Sequence, residues 1–292
     1  VQTANGVIDL AADEDAHAVE LVKRYLGYFH GPSDQWDCGD QNGLRHVVPV
    51  NRKRVYDTGR VIEMLADSHS TLELRSAYGI GITTVLARIE GRPVGLIVNN
   101  PKHLGGAIDA DAADKAARFM QLCDAHDLPI VFLCDTPGFM VGPEAERTAQ
   151  VRRFSRMFVT GASLTVPVIT IILRKAYGLG ALGMAAGGFH SPLLTAAWPT
   201  GELGGMNIEG AVRLGSRREL DAVEDPDDRE RLFEEKVAQV YEHSRAMDAA
   251  EIFELDDVID PADTRRRIVN TLRSCPEPPV RTGKKRPMID TW

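Results

Sequence analysis

Two short glycine-containing turns carry the residue types best suited to chemistry in this chain. Gly178-Leu179-Gly180-Ala181-Leu182-Gly183 has GxGxxG spacing, and Asp135-Thr136-Pro137-Gly138 follows the apolar run Ile130–Cys134. Glycines let a backbone turn tightly, and amides exposed at a helix start favour a negative group. The first motif admits three readings. A dinucleotide unit asks for an acidic residue about 20 positions on, where Glu202 lies. Against it, Arg174-Lys175-Ala176-Tyr177 separates the apolar strand from the first glycine, and Glu202 follows a turn, Trp198-Pro199-Thr200-Gly201. Close helix packing through small residues is the second. An exposed-amide turn for a developing negative oxygen is the third, and it fits best. The Asp-Thr-Pro-Gly motif suggests a nucleotide-hydrolase switch, but that requires a GxxxxGK[ST] phosphate loop. Gly283-Lys284-Lys285 lacks both the Ser/Thr and the upstream glycine.

No ionisable constellation competes with these turns. The histidines form no HExxH, and His69, His103, His126 and His190 read as surface or capping residues. Ser155 and Ser163 lack a nucleophile-elbow pattern. Glu144 and Glu146 read as an acidic first helical turn. Cys38, Cys123, Cys134 and Cys275 form no CxxC pair and show no metal-ligand spacing, so no metal site is expected. The chemistry must then come from backbone donors.

The elements that position these turns have an α/β pattern. Helical spacing predicts a helix over Asp13–Phe29 and a surface excursion over Gly31–Pro49. Strands are predicted at Thr83–Ile89 and Val94–Asn99 about a turn at Glu90-Gly91-Arg92-Pro93. A helix over Asp111–His126, with Ala113, Ala117, Met120 and Cys123 on one face, leads to the strand Ile130–Cys134. Glu144–Ala162 reads as a helix, Val166–Leu173 as a strand, and Gly178–Ala186 as the opening of another helix. Helices over Asp228–Met247 and Pro261–Arg273 dominate the last third. Pro276–Trp292, with four prolines and the basic residues Arg281, Lys284, Lys285 and Arg286, reads as an extended tail. Nothing divides the 292 residues, so a single domain is expected.

Composition removes several classes. At 43% hydrophobic and 26% charged the chain is an ordinary folded domain. A net charge of −8 disfavours nucleic acid, which needs a positive footprint. Ile130–Cys134 and Val166–Leu173 are far too short to span a bilayer. No charged-then-apolar leader opens the chain, and its start at Val1 reads as a processed product or a fragment of something longer.

An ordered set of motifs resembles the carboxyltransferase of biotin-dependent acyl-CoA carboxylases. It comprises Ala87–Gly95, Lys115-Ala116-Ala117-Arg118-Phe119, Cys123-Asp124, Pro129-Ile130, Asp135–Phe139 and Gly142, then Val166–Thr170, Arg174–Gly178 and Ala197-Trp198-Pro199. Asn5–Leu10 and Tyr25–Phe29 resemble the opening of that family's C-terminal half. The resemblance implies a crotonase-like ββα spiral with a helical C-terminal extension, and a chain that is one half of the site, its N-terminal half lying elsewhere. It implies transfer of a carboxyl group from carboxybiotin to the α-carbon of an acyl-CoA, with backbone oxyanion holes holding the charge. The biotin-side hole falls on Gly178, Leu179, Gly180 and Ala181, and substrate contacts on Tyr56, Asp57, Arg88, Gly138, Phe139, Tyr177 and Leu182. Asp67 and Glu73 match common family positions near the acyl-CoA.

Biotin would sit on a separate carrier, since no Ala-Met-Lys-Met motif occurs. The implied partners are an acyl-CoA, the N-terminal half, the biotin carboxylase and carrier components, and further protomers of an oligomer, in the cytoplasm or, in a eukaryote, the mitochondrial matrix. The sequence departs from the family's Ala-Tyr-Gly-Gly-Ala at Gly178-Leu179-Gly180 and lacks its His-Gly pair in the helix after Gly142. Apolar Leu182 falls where the family position lines the acyl pocket and points to a non-polar acyl group, not to its length; the departures together suggest a distinct subfamily, one for longer or branched acyl chains. A structural subunit that has lost the chemistry and a nicotinamide-dependent oxidoreductase stand as alternatives.

Overall fold

A computed structural model describes residues 1–52, 54–276, 282–286 and 288–291. One sheet of eight strands forms its centre. The strands are β1 (Leu72–Leu74), β2 (Ile82–Ile89), β3 (Arg92–Asn99), β4 (Ile130–Thr136), β5 (Val168–Tyr177), β6 (Leu194–Ala197), β7 (Glu202–Gly204) and β8 (Asp257–Val258). The helices are α1 (Asp15–Gly27), α2 (Thr58–Leu65), α3 (Ala110–Ala125), α4 (Pro143–Arg147), α5 (Gln150–Gly161) and α6 (Gly178–Gly183). Beyond β7 lie α7 (Ile208–Gly215), α8 (Arg217–Asp221), α9 (Pro226–Glu242), α10 (Ala246–Glu251) and α11 (Thr264–Arg273).

The sheet runs β1-β2-β3-β4-β5-β6-β8, antiparallel at β1–β3 and parallel from β3 onward. The hairpin turns on Glu90 (φ 50°) and Gly91 (φ 73°), the twist-matched pair of positive φ angles that a two-residue loop prefers. Parallel strands must be covered on both faces, and their alternation shows it. In β4, Ile130, Phe132 and Cys134 meet the α3 side, while Val131 and Leu133 meet the side of α2 and α11. The predicted face of α3 is buried throughout, capped by Asp109, which accepts from the Ala112 amide at 2.8 Å.

Four expectations change. The excursion Gly31–Pro49 contains a 3-10 turn, Gln41–His46; its Leu44 and the following Val47 and Val48 pack into the core on the α2 and α11 side of the sheet, so it is not mere surface. The helix expected over Glu144–Ala162 is broken at Ala149, held at φ 55°, which divides it into α4 and α5. The helix expected over Asp228–Met247 ends at Glu242, and α10 follows after a turn. The strand expected to stop at Leu173 continues to Tyr177, because Asp135 on β4 neutralises Arg174 and Lys175.

Of the expected tail, residues 277–281, 287 and 292 lie outside the described residues. Its described part is irregular but docked. Lys285 Nζ and Arg286 Nε lie 3.0 Å and 2.8 Å from the buried Asp124 carboxylate, and Ile289 packs on the core. Among the described residues no helix is long and apolar enough to cross a membrane.

Candidate functional site

The β5 strand outruns its neighbour β6. Ile169–Ile172 pair with Leu194–Ala197, whereas Lys175–Tyr177 pair with Glu202–Gly204 of β7. On the other edge Thr136 of β4 sits opposite Ala176. The carboxyl ends of β4 and β5 thus emerge together, the place where α/β sheets commonly bind ligands. Both predicted turns leave from here. β5 runs straight into α6, and the loop after β4 passes across it. A Cβ on Gly180 would lie 2.6 Å from Gly138 Cα, so only a glycine lets these backbones touch. Gly178 has φ +55°, and a Cβ there would meet the Gly205 carbonyl at 2.9 Å. The loop itself is fixed by Ile108, whose amide donates to Gly138 O at 3.0 Å and whose carbonyl accepts from the Met140 amide at 2.9 Å.

The first amides of a helix have no acceptor within it. In α6 these belong to Gly178, Leu179, Gly180 and Ala181. Leu179 is 56% exposed, so the turn opens outward, while Ala181 is buried and Leu182 half-buried against the core. Phe139 stacks on Phe154 at 4.2 Å between centroids, with Phe158 at 6.2 Å, giving an aromatic wall beside the turn. Gly138, Phe139, Leu182 and the four turn residues therefore form one locality.

The support beneath is electrostatic. Asp135 is fully buried; its carboxylate lies 3.0 Å from Arg174 Nη2 and accepts from the Lys175 amide at 3.1 Å. Asn99 Oδ1 accepts from the Asp135 amide at 3.0 Å. Tyr56 lies under the Arg174 guanidinium, 4.8 Å from ring to cation. Burial, then the neighbouring Asp135 charge, holds its phenol well above the ordinary tyrosine range. Burial also pushes up the Cys123 and Cys134 thiols, so neither is a thiolate nucleophile.

Other residues singled out in the sequence lie away from this locality. Tyr56 is buried and props Arg174. Arg88 spends its guanidinium on the carbonyls of Gly27 (2.8 Å), Gly31 (2.9 Å) and Gly91 (2.5 Å), clamping the end of α1 to the hairpin. Asp67 accepts from the Glu90 and Gly91 amides at 2.9 Å and 2.7 Å and pairs with Arg265, which makes it the lock on that hairpin. Asp57 caps α2 through the Gly59 amide and meets Lys102 Nζ at 2.5 Å, and the Lys102 contact leads in holding its carboxyl below the usual range. Asp57, Lys102 and Glu73 line a cleft of about 290 Å³; Arg24, Trp36, His69 and Arg88 line another of about 260 Å³. Neither cleft contains a residue of the α6 turn.

Tyr177 is buried, and its hydroxyl donates to Glu202 Oε2. This corrects one of the two arguments against the dinucleotide reading and bears out the other, since Glu202 does follow a turn. The strand does run into the first glycine, but Glu202 begins β7 and is 1% exposed, spent on Tyr177 and Arg52 instead of a ribose. Sequence reasoning missed Arg52, and it weighed Glu202 only as a ribose ligand. Among the described residues no group of three or more His, Cys, Asp or Glu could hold a metal ion.

Known proteins share this fold. The methylmalonyl-CoA carboxyltransferase 12S subunit of Propionibacterium freudenreichii subsp. shermanii is 34% identical over 92% of this chain and 52% of its own length. The structure of a single-chain, multi-domain long-chain acyl-CoA carboxylase matches with TM-score 0.87 and 57% identity, over 93% of this chain and 26% of that one. The crystal structure of the transcarboxylase 12S hexamer, with methylmalonyl-coenzyme A and methylmalonic acid bound, matches with TM-score 0.84 and 33% identity over 99% of this chain and 57% of that one. The chain thus spans about half the length of the curated relatives it matches. With residues 1–289 matching the carboxyl transferase domain, and with the fold of its solved relatives, the chain belongs to the carboxyl transferase family.

Proposed function

We propose that this chain is the C-terminal half of a carboxyltransferase that moves a carboxyl group from carboxybiotin to the α-carbon of an acyl-CoA. One observation carries the reading: the first amides of α6 have no acceptor within the helix, and the turn that holds them, exposed at Leu179, is seated on Gly138 where β4 and β5 end. The locality suits a ureido oxygen, since it offers N–H donors and no side-chain acid or base among its glycines and apolar residues. Carboxybiotin, when bound, supplies the carboxyl group and the base for the α-proton. The chain's part is to hold a negative oxygen on the Gly178–Ala181 amides and to present an apolar wall. The N-terminal half is the second surface that closes the site, within an oligomer served by a biotin carboxylase and a biotinylated carrier.

Half-buried, apolar Leu182 in the same turn suits an apolar acyl group, and the relative named for long-chain acyl-CoA is 57% identical to this chain over the 26% of its own length that matches. The reaction run backwards tests the reading. Carboxyacyl-CoA is supplied with biotinylated carrier, and acyl-CoA formation is followed with and without the N-terminal half. Turnover that requires both halves supports a divided site. Turnover by this chain alone overturns the divided site but keeps the chemistry. Silence across short and long substrates, with folding verified, leaves a structural subunit.

A further inference from the structure

The end of β5 is tied down by side chains that the reaction itself does not use. The Tyr177 hydroxyl donates to the buried Glu202 carboxylate, and Arg52 Nη2 lies 3.4 Å from the same oxygen. Arg52 Nη1 lies 3.3 Å from Glu209 on α7, and its guanidinium covers the Tyr241 ring of α9 at 4.8 Å. Burial opposes the charge on Arg52, but Glu202 and Glu209 outweigh it and raise its pKa. β7 has only three residues; it pairs with β5 at Lys175–Tyr177, and on its other side a single bridge joins Glu202 to Arg245. Its next residue, Gly205, forms the wall against which Gly178 turns. A carboxylate taken out of water is costly unless it is paired and hydrogen-bonded, and an apolar residue would hold a short strand at less expense.

We infer that Glu202 is a positioning residue: through Tyr177 it sets β7 and the Gly178–Ala181 turn in register, with Arg52 linking that setting to α7 and α9. Tyr177 immediately precedes Gly178, so a fixed ring fixes the backbone from which the amides project. The inference deepens the proposed function and rests on it for the catalytic readout, but not for the structural one.

The test uses the assembled enzyme containing this chain, with Glu202→Gln and Tyr177→Phe as variants. Glu202→Gln keeps the shape and an acceptor oxygen but loses the charge facing Arg52. Each variant is expected to lower kcat about 10- to 100-fold and to move KM for the acyl-CoA less than about 3-fold, as for an interaction felt only in the transition state. The double variant is expected to be no worse than about the weaker single, because the two residues act as one unit. Hydrogen exchange at the Leu182–Met184 amides should quicken about 10-fold in both variants while Tm shifts by only a few degrees, because the loosening is local. Full kcat together with unchanged exchange overturns the inference; so does a lowered kcat with unchanged exchange. If Glu202→Gln does not fold, Tyr177→Phe carries both arms. A wild-type enzyme without carboxyl transfer would sink the proposed function, and the exchange arm would still decide the positioning role.

Discussion

The Asp135 carboxylate and the Arg174 guanidinium, both withdrawn from solvent, meet at 3.0 Å on adjacent strands that deliver the two turns of the site. Arg174 also donates to the Arg54 carbonyl at 2.8 Å and covers the Tyr56 ring. Breaking a buried pair from one side strands the other charge. Asp135→Asn should therefore destabilise the chain by about 3–5 kcal/mol, read from urea unfolding. Pairing it with Arg174→Met should recover a large part of that loss. A single-variant cost near zero would mean that water reaches the pair.

Gly180→Ala tests the backbone contact directly. Its Cβ would arrive 2.6 Å from Gly138 Cα, and neither backbone can yield without moving the turn. Displacing one oxyanion donor typically costs 10²–10³ in kcat, so carboxyl transfer should fall by about that factor while circular dichroism stays native. Wild-type turnover in this variant would remove the turn from the chemistry.

Lys115 makes stability depend on pH. It lies on α3 with its Nζ buried, and burial, outweighing the help of Glu73, lowers its pKa to about 8 from 10.5. The unfolded chain thus holds a proton between about pH 8 and 10.5 that the folded chain has released. Where the unfolded state binds more protons, stability rises with pH. The penalty is complete below pH 8 and fades towards 10.5, amounting to about 3 kcal/mol. Lys115→Met should therefore be more stable than wild type at pH 7, and the difference should shrink steadily up to pH 10.5. Glu73 and Arg75, the charged groups that bear on Lys115, stay in place. A pH-independent difference would contradict the assignment.

Leu182 should govern acyl selectivity. Placing a charge there, as Leu182→Asp, desolvates a carboxylate against the core. The kcat/KM ratio of long to short acyl-CoA should fall about 10-fold or more, since contacts worth 1–3 kcal/mol set such ratios. An unchanged ratio would place the acyl chain elsewhere.

Much of this was legible in the sequence, for physical reasons that differ by element. The hairpin, α3 and β4 announce themselves through local period and a Glu-Gly turn, and the structure has all of them. The α6 turn was legible because glycine spacing reflects backbone need, which is also local. What escaped depends on partners distant in the chain. Arg174 and Lys175 look like a strand terminator until Asp135 is beside them. Arg88 looks free until the Gly27 and Gly31 carbonyls at the end of α1 join that of Gly91, in its own hairpin, around it. The left-handed Ala149 leaves no mark in residue type at all.

The sharing of β5 between β6 and β7 divides the molecule by its tolerance to change. The portion of β5 beside β6 belongs to the core, where substitutions register as lost stability. The portion beside β7 answers to whatever follows it, and the 208–242 region hangs from that short strand. Lengthening or exchanging those outer helices can retune the turn without disturbing the interior. A substitution in the outer helices then registers at the turn and not in the interior, whereas a change at Ile169–Ile172 falls on fully buried positions.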